Sequence, residues 1–189
     1  MPTQVTTPAD EDLDRIYLDD RAQSVGHMFR DRVKKTPNKV AYWYPEGEDY
    51  AKVTWAQVKE RVYDLAAGLI TLGVQAEDRV ALASGTRYEW ALADLANMCA
   101  GATTTTIYPS TIADDVAFIL SDSGSVIAFA EDAKQVEKLR DIRDTIPCVR
   151  KVVVIDGEGD GDWVMPLAEL EALGAGLLAE DPGVVDARI

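Results

Sequence analysis

The sequence predicts an α/β fold: a mostly parallel sheet with helices on both faces, preceded by a helix and a β-hairpin. Three observations predict it. Between Val80 and Ile155 one unit recurs: a short apolar run, a turn with a small or capping residue, then an amphipathic helical pattern. The runs VALA (80–83), TTTTI (103–107), VIAFA (126–130) and VVVI (152–155) lack the alternation of half-exposed strands, as expected for strands covered on both faces. The segments between them are long enough for crossover helices, which makes the pairing parallel and the crossovers right-handed.

Each element has a local cause. Residues 1–22 carry acidic side chains around Leu13, Ile16, Tyr17 and Leu18 and read as an arm, leaving residues 23–189 as one domain. Ser24 can cap a helix running to Lys35, with Val25, Phe29 and Val33 every fourth residue and Thr36-Pro37-Asn38 as the stop. KVAYWYP and YAKVTW flank Glu46-Gly47-Glu48-Asp49, a hairpin pattern. Thr54 is the expected N-cap of a helix whose stripe is Val58, Val62, Leu65, Leu69 and Leu72, and Gly73 follows as the C′ glycine. Ser84-Gly85-Thr86 opens the next helix, with Thr86 as cap. Residues 90–100 have only Asp94 and Asn97 as polar members, which predicts burial on most sides.

Gly101 ends that helix and the threonine strand follows. Tyr108-Pro109-Ser110 makes the exit, Ser110 or Thr111 caps the next helix, and Asp114 completes a capping box. Ile112, Val116, Ile119 and Leu120 form that helix's apolar face. A helix over 133–144 carries Val136, Leu139 and Ile142. DGEGDGD (156–162) is an acidic loop, and Pro166 at a first helical position starts a short helix ending at Gly174. The last residues, GVVDARI, read as the approach to another element, so the chain is expected to be cut from a longer protein.

Charge and composition narrow the function classes. A length of 189 residues suits one domain with a substantial core. A net charge of −14 opposes the counterion-release term that drives nucleic-acid binding, and it disfavours anionic membrane surfaces. The N-terminus is polar and acidic without the pattern of a secretory signal, and no apolar run is long enough to span a bilayer. Cys99 and Cys148 are isolated and read as free, buried or half-buried thiols, so the cytoplasm is the expected compartment.

Candidate chemistry is sparse. Ser84-Gly85-Thr86 resembles a phosphate cradle but lacks the second glycine and the lysine of a full P-loop. In GEGDG (157–161) the next glycine of a dinucleotide fingerprint is Asp162, and the interleaved carboxylates repel a pyrophosphate. His27 is the single histidine and has no nucleophile at telling spacing. One histidine and two distant cysteines supply no ordinary metal cluster, and the acidic groups 10–14 and 156–162 lack EF-hand spacing, so no metal is expected. Trp43, Trp55, Trp90 and Trp163 are expected in packing roles. The site that remains is Tyr108-Pro109-Ser110, because a turn at the carboxyl end of a parallel strand is where open α/β sheets bind ligands.

Three segments carry a resemblance: SVGHMFRDRV, VTWAQVKERVYDLAAGLITLGVQAEDRVALAS and GTRYEWALADLANMCAGATTTTIYPSTIADDVAFILSDSGSVIAFAED. Together they resemble the N-terminal portion of an AMP-forming, adenylate-forming acyl-CoA synthetase, of the bacterial long-chain fatty acid–CoA ligase type. The resemblance implies a parent enzyme that uses ATP and Mg²⁺ to convert a long-chain fatty acid to acyl-AMP and transfers the acyl group to coenzyme A. It also implies that the family's phosphate loop, ribose-binding aspartate and adenylation lysine lie beyond Ile189, so no catalytic residue is carried over and the isolated chain is expected to be inactive. By similarity, Tyr108, Pro109 and Ser110 lie on the coenzyme A side, although relatives carry glycines in this turn. Helix faces and sheet edges left uncovered would favour a homodimer. Two rival classes remain at this level: a free-standing flavodoxin-like binding or interaction module, and an NAD- or flavin-dependent enzyme, against which the missing glycine fingerprint weighs.

Overall fold

The computed structural model describes residues 21–189, so the arm falls outside the described residues except for its last two positions. Helix α1 (Val25–Lys35) begins at Ser24, whose hydroxyl accepts from the His27 amide at 3.1 Å. Phe29 and Val33 are buried, whereas Val25 is exposed. Strands β1 (Val40–Glu46) and β2 (Asp49–Thr54) pair as an antiparallel hairpin, with Gly47 at positive φ in the turn. Trp43 departs from the expected packing role: it is 60% exposed, with the Lys52 ammonium 4.2 Å from the ring centre.

Helix α2 (Trp55–Thr71) starts with a reciprocal capping box between Thr54 and Gln57. Val58, Val62, Leu65 and Leu69 have no exposed surface, and burial of each contributes roughly 1.5–3 kcal/mol. Gly73 then takes the left-handed conformation that ends such a helix.

Five strands form the main sheet: β3 (Arg79–Ala83), β4 (Thr103–Ile107), β5 (Ile127–Asp132), β6 (Lys151–Asp156) and β7 (Val164–Pro166), in the order β4-β3-β5-β6-β7. All of its pairings are parallel. Helix α3 (Tyr88–Cys99), α4 (Ala113–Ser123), α5 (Ala133–Asp141) and α6 (Leu167–Glu180) connect or flank the strands. The strand pleat splits the interior. Val80, Leu82, Ile127, Phe129 and Val153 face one core with α1, α2, α3 and α6. Ala81, Ala83, Ala128, Ala130, Val152 and Val154 face a second core with α4 and α5. As its composition requires, no residue from 91 to 100 is exposed. The buried Asn97 amide donates to the Thr104 hydroxyl at 3.0 Å, tying α3 to the edge strand β4.

Several boundaries differ from expectation. The helix after β5 stops at Asp141, and a 3₁₀ turn over Arg143–Thr145 finishes the segment. Strand β7 was not foreseen, because three residues carry no readable period. Pro166 ends β7 and stands before α6 rather than inside it. Gly174 does not stop that helix, which continues to Glu180. It is the crossing point of α6 with α2: a Cβ at Gly174 would lie 1.7 Å from the Asp64 carbonyl, and one at Gly68 would lie 2.3 Å from the Leu170 carbonyl. Only two glycines allow this approach. The final residues pack against the domain: Val185 is buried and Asp186 accepts from the Tyr63 hydroxyl at 2.9 Å.

Candidate functional site at the carboxyl edge of the sheet

Parallel register brings three strand ends together. Ala83 is level with Ile107 and with Ala130, so the turns after β3 and β4 and the end of β5 emerge side by side. Within this edge the Tyr108-Pro109-Ser110 turn is the most open part, with Tyr108 82% exposed. The Thr111 amide donates to the Tyr108 carbonyl at 2.9 Å and closes the turn.

The expected capping box is absent. Ile112 occupies the cap position in extended conformation with no side-chain bond, and it is exposed rather than on the apolar face. The turn is held from outside by Lys138 of α5. Its ammonium donates to the carbonyls of Pro109 (2.8 Å) and Thr111 (2.7 Å) and to Gln135 Oε1 (3.0 Å), while Gln135 Nε2 also donates to Pro109 (3.2 Å). Those carbonyls accept from α5, and the free amides at the start of α4 receive no side-chain cap. Asp114 and Asp115, in the first turn of α4, meet the positive end of the helix dipole instead. Burial, then the neighbouring Lys134, pulls the Lys138 ammonium below the ordinary lysine pKa.

Around the β3 turn the charges are already paired. Thr86 does not cap α3; Arg87 holds the cap position with extended backbone. The Gly85 amide, in the turn before α3, donates to Glu131 Oε2 at 2.9 Å, so this turn already holds a carboxylate from the end of β5. The Arg87 guanidinium bonds Glu89 (2.6 Å) and both oxygens of Asp156, and lies 4.0 Å from Glu131. The Asp156 hydrogen bonds first, then those of Glu89, hold it charged well above the ordinary arginine value against a burial cost. This cross-strand network escaped sequence reasoning. Its only signal was the acidic residue following each apolar run, Glu131 after β5's core and Asp156 at the end of β6.

The other candidates fall into structural roles. His27 Nδ1 lies 2.9 Å from the Ser24 hydroxyl that caps its own helix. In the 156–162 loop, Asp160 accepts from the amides of Val164 (2.8 Å) and Asp162 (3.0 Å) and pairs with Arg140, while Asp162 pairs with Arg143. Among the described residues no group of three or more His, Cys, Asp or Glu side chains is placed to hold a metal ion. The 10–14 group lies outside the described residues. No described helix is long and apolar enough to cross a membrane. Trp163 is buried and donates to the Val149 carbonyl at 3.0 Å, the packing role expected of it.

Known proteins share this fold. The AMP-binding enzyme family model matches residues 29–176. The long-chain-fatty-acid–CoA ligase FadD15 of Mycobacterium bovis is 35% identical over 171 residues, covering 86% of this chain and 28% of the relative. Acetoacetyl-CoA synthetase from Streptomyces lividans superposes with a TM-score of 0.71 at 25% identity, covering 79% of this chain and 25% of that one. The N-terminal domain of FACL13 from Mycobacterium tuberculosis superposes with a TM-score of 0.68 at 28% identity, over 80% of this chain and 36% of that structure. The chain thus spans about 28% of the length of the FadD15 relative. With the parallel sheet, its two helical layers and the family match over most of the chain agreeing, this chain belongs to the AMP-binding enzyme family.

Proposed function

We propose that this chain is the first part of the large domain of an AMP-forming long-chain fatty acid–CoA ligase. The parent converts a long-chain carboxylate and ATP, with Mg²⁺, to acyl-AMP and pyrophosphate. It then transfers the acyl group to the coenzyme A thiol with release of AMP. A free carboxylate is a poor acyl donor, and the mixed anhydride with AMP supplies a good leaving group. The observation that carries this reading is the family match over residues 29–176 in a chain that spans 28% of its ligase relative.

Within that reading the chain is scaffold. The residues present do not suit the ATP–Mg²⁺ group: the Gly85 amide in the turn before α3 is already taken by Glu131, and the acidic side chains around it are paired with Arg87. Coenzyme A fits better at the open Tyr108-Pro109-Ser110 turn, with Lys138 as the residue that positions its backbone. Exposed Tyr108, Ile112 and Phe118 beside edge strand β4 support self-association of the isolated chain, read by sedimentation velocity. Free Cys99 and Cys148 support a reducing, cytoplasmic compartment.

Incubating the purified chain with ATP, Mg²⁺ and palmitate, and assaying pyrophosphate, tests the proposal. No release is expected from this chain, and release is expected from a polypeptide extended through the sequence downstream of Ile189. Pyrophosphate from the 189-residue chain alone refutes the scaffold role, and its absence from the extended polypeptide refutes the ligase parentage.

A further inference from the structure

We infer that the cavity beside α1 is the docking site of this chain's own acidic arm, residues 10–20. The cavity measures about 890 Å³ and is walled by Phe29, Tyr42, Trp55 and Leu95. On its rim Val25 and Met28 stand exposed, Met28 at 60%, two large apolar side chains on what would otherwise be the solvent face of a helix.

Its charge runs against that of the molecule. The chain as a whole carries −14, yet Arg21, Arg30, Arg32 and Lys35 line this cavity against a single acid, Asp31. Arg30 reaches Asp186 at 3.7 Å through Nη1, while its Nε is shielded from solvent and has no hydrogen-bond partner among the described residues. The part of the Arg30 side chain that stays accessible, 23% of it, faces this cavity and can take a further carboxylate oxygen.

Residues 10–20 have the complementary chemistry. They hold Asp10, Glu11, Asp12, Asp14, Asp19 and Asp20 against one arginine, Arg15. Leu13, Ile16 and Tyr17 stand at i, i+3 and i+4, the spacing of one helical face. An apolar face with acids around it matches an apolar cavity with bases around it. Connectivity favours this occupant over a separate molecule. Arg21 and Ala22 themselves form part of the rim, so the arm begins at the site. The eight residues from Leu13 to Asp20 span at most about 28 Å, and a tether that short gives an effective concentration on the order of millimolar.

Hydrogen–deuterium exchange of the full 189-residue chain tests the inference, at low and high protein concentration. Amides of residues 13–18 are expected to exchange about tenfold or more slower than free peptide, independently of concentration and less slowly at high salt. Met28→Glu, on an exposed side chain, and the pair Ile16→Asp with Tyr17→Asp should each remove that protection while leaving exchange in α2 and the sheet unchanged. Exchange of residues 13–18 at the free-peptide rate overturns the inference, as does protection that survives both variants. Protection that grows with protein concentration assigns the cavity to the arm of a second copy and overturns docking within one chain.

Discussion

Replacing Gly174 by alanine probes the crossing of α6 with α2, where an added Cβ meets the nearest atom of any described glycine. The new methyl would stand 1.7 Å from the Asp64 carbonyl oxygen and 2.6 Å from the Gly68 amide nitrogen, both backbone atoms that no rotamer change can move away. Restoring ordinary contact at about 3.4 Å requires α6 to withdraw from α2 by about 1.7 Å. Leu167 and Leu170, both buried, ride on the same helix and lose contact together. A gap of even ~0.5–1 Å forfeits a quarter to a half of the dispersion well. With roughly 1.5–3 kcal/mol at stake per buried leucine, the gross loss is about 3–4 kcal/mol. Alanine's helix propensity returns about 1 kcal/mol, leaving a net cost of about 2–3 kcal/mol. For a chain of this size that lowers Tm by roughly 5–10 °C. Gly176 supplies the control, because its Cβ would meet nothing within 4 Å on the same helix. Gly176→Ala should therefore raise Tm by about 2 °C. Thermal unfolding followed by circular dichroism reads both. A Gly174→Ala chain melting at or above the wild-type temperature, or the two variants moving in the same direction, refutes the close-crossing account.

Three further outcomes are expected. Hydrogen bonds from the Val164 amide first, with the Asp162 amide and Arg140 assisting, lower the Asp160 pKa to about 2 from its ordinary 3.8. Its stabilising contribution is thus complete above the ordinary carboxylate range and lost as pH falls through about 2, so the Tm difference between wild type and Asp160→Asn should shrink between pH 4 and 2; parallel curves refute it. Burial first, with Asp186 adding, raises the Cys99 thiol to about 12, so at pH 8 an aromatic disulfide reagent should label half-buried Cys148 first and Cys99 only at the rate of unfolding. Equal labelling rates in the folded chain refute it. Lys138→Met removes a donor from Pro109 and Thr111, and amide exchange over residues 108–113 should accelerate about tenfold or more with little change in the sheet. Unaltered exchange there means that Lys138 does not set the turn.

Local signals in the sequence carried most of the fold. Thr54 with Gln57, Ser24 with its helix, and the positive-φ glycines at 47, 73 and 101 act within a few residues, so reading along the chain finds them. The β-branched and apolar runs likewise marked four of the five strands of the main sheet. Features set by distant segments were not legible. Thr86 was the better cap by residue type, but Arg87 takes the position because Asp156, 69 residues away, draws its side chain across the sheet edge. The same holds for the β4 exit, whose Pro109 and Thr111 carbonyls are bonded by Lys138 from a distant helix while the cap position of α4 has no side-chain bond. Gly174 departs from its local signal for a different reason. A glycine in a helical pattern signals either a stop or a crossing, and the spacing of Leu167, Leu170, Gly174 and Leu177 along one stripe was the available clue to the second.

The charge pairing at the carboxyl edge bears on how an acyl-CoA ligase could use this segment. An arginine shared by Glu89 and Asp156, with Glu131 nearby, turns to a polyphosphate only by giving up these pairings, and the half-shielded Glu89 and Glu131 lose more by it than the exposed Asp156. Gly85 would likewise have to expel Glu131 before receiving a phosphate oxygen. The Tyr108–Ser110 turn has no such internal occupant. Its side chains are open, and its backbone is fixed from the far side by Lys138. A ligand can approach it without displacing an existing ion pair. This comparison favours the proposed binding at the β4 exit over the β3 exit, where the Gly85–Glu131 and Arg87–Asp156 bonds already tie the ends of strands β3, β5 and β6 together.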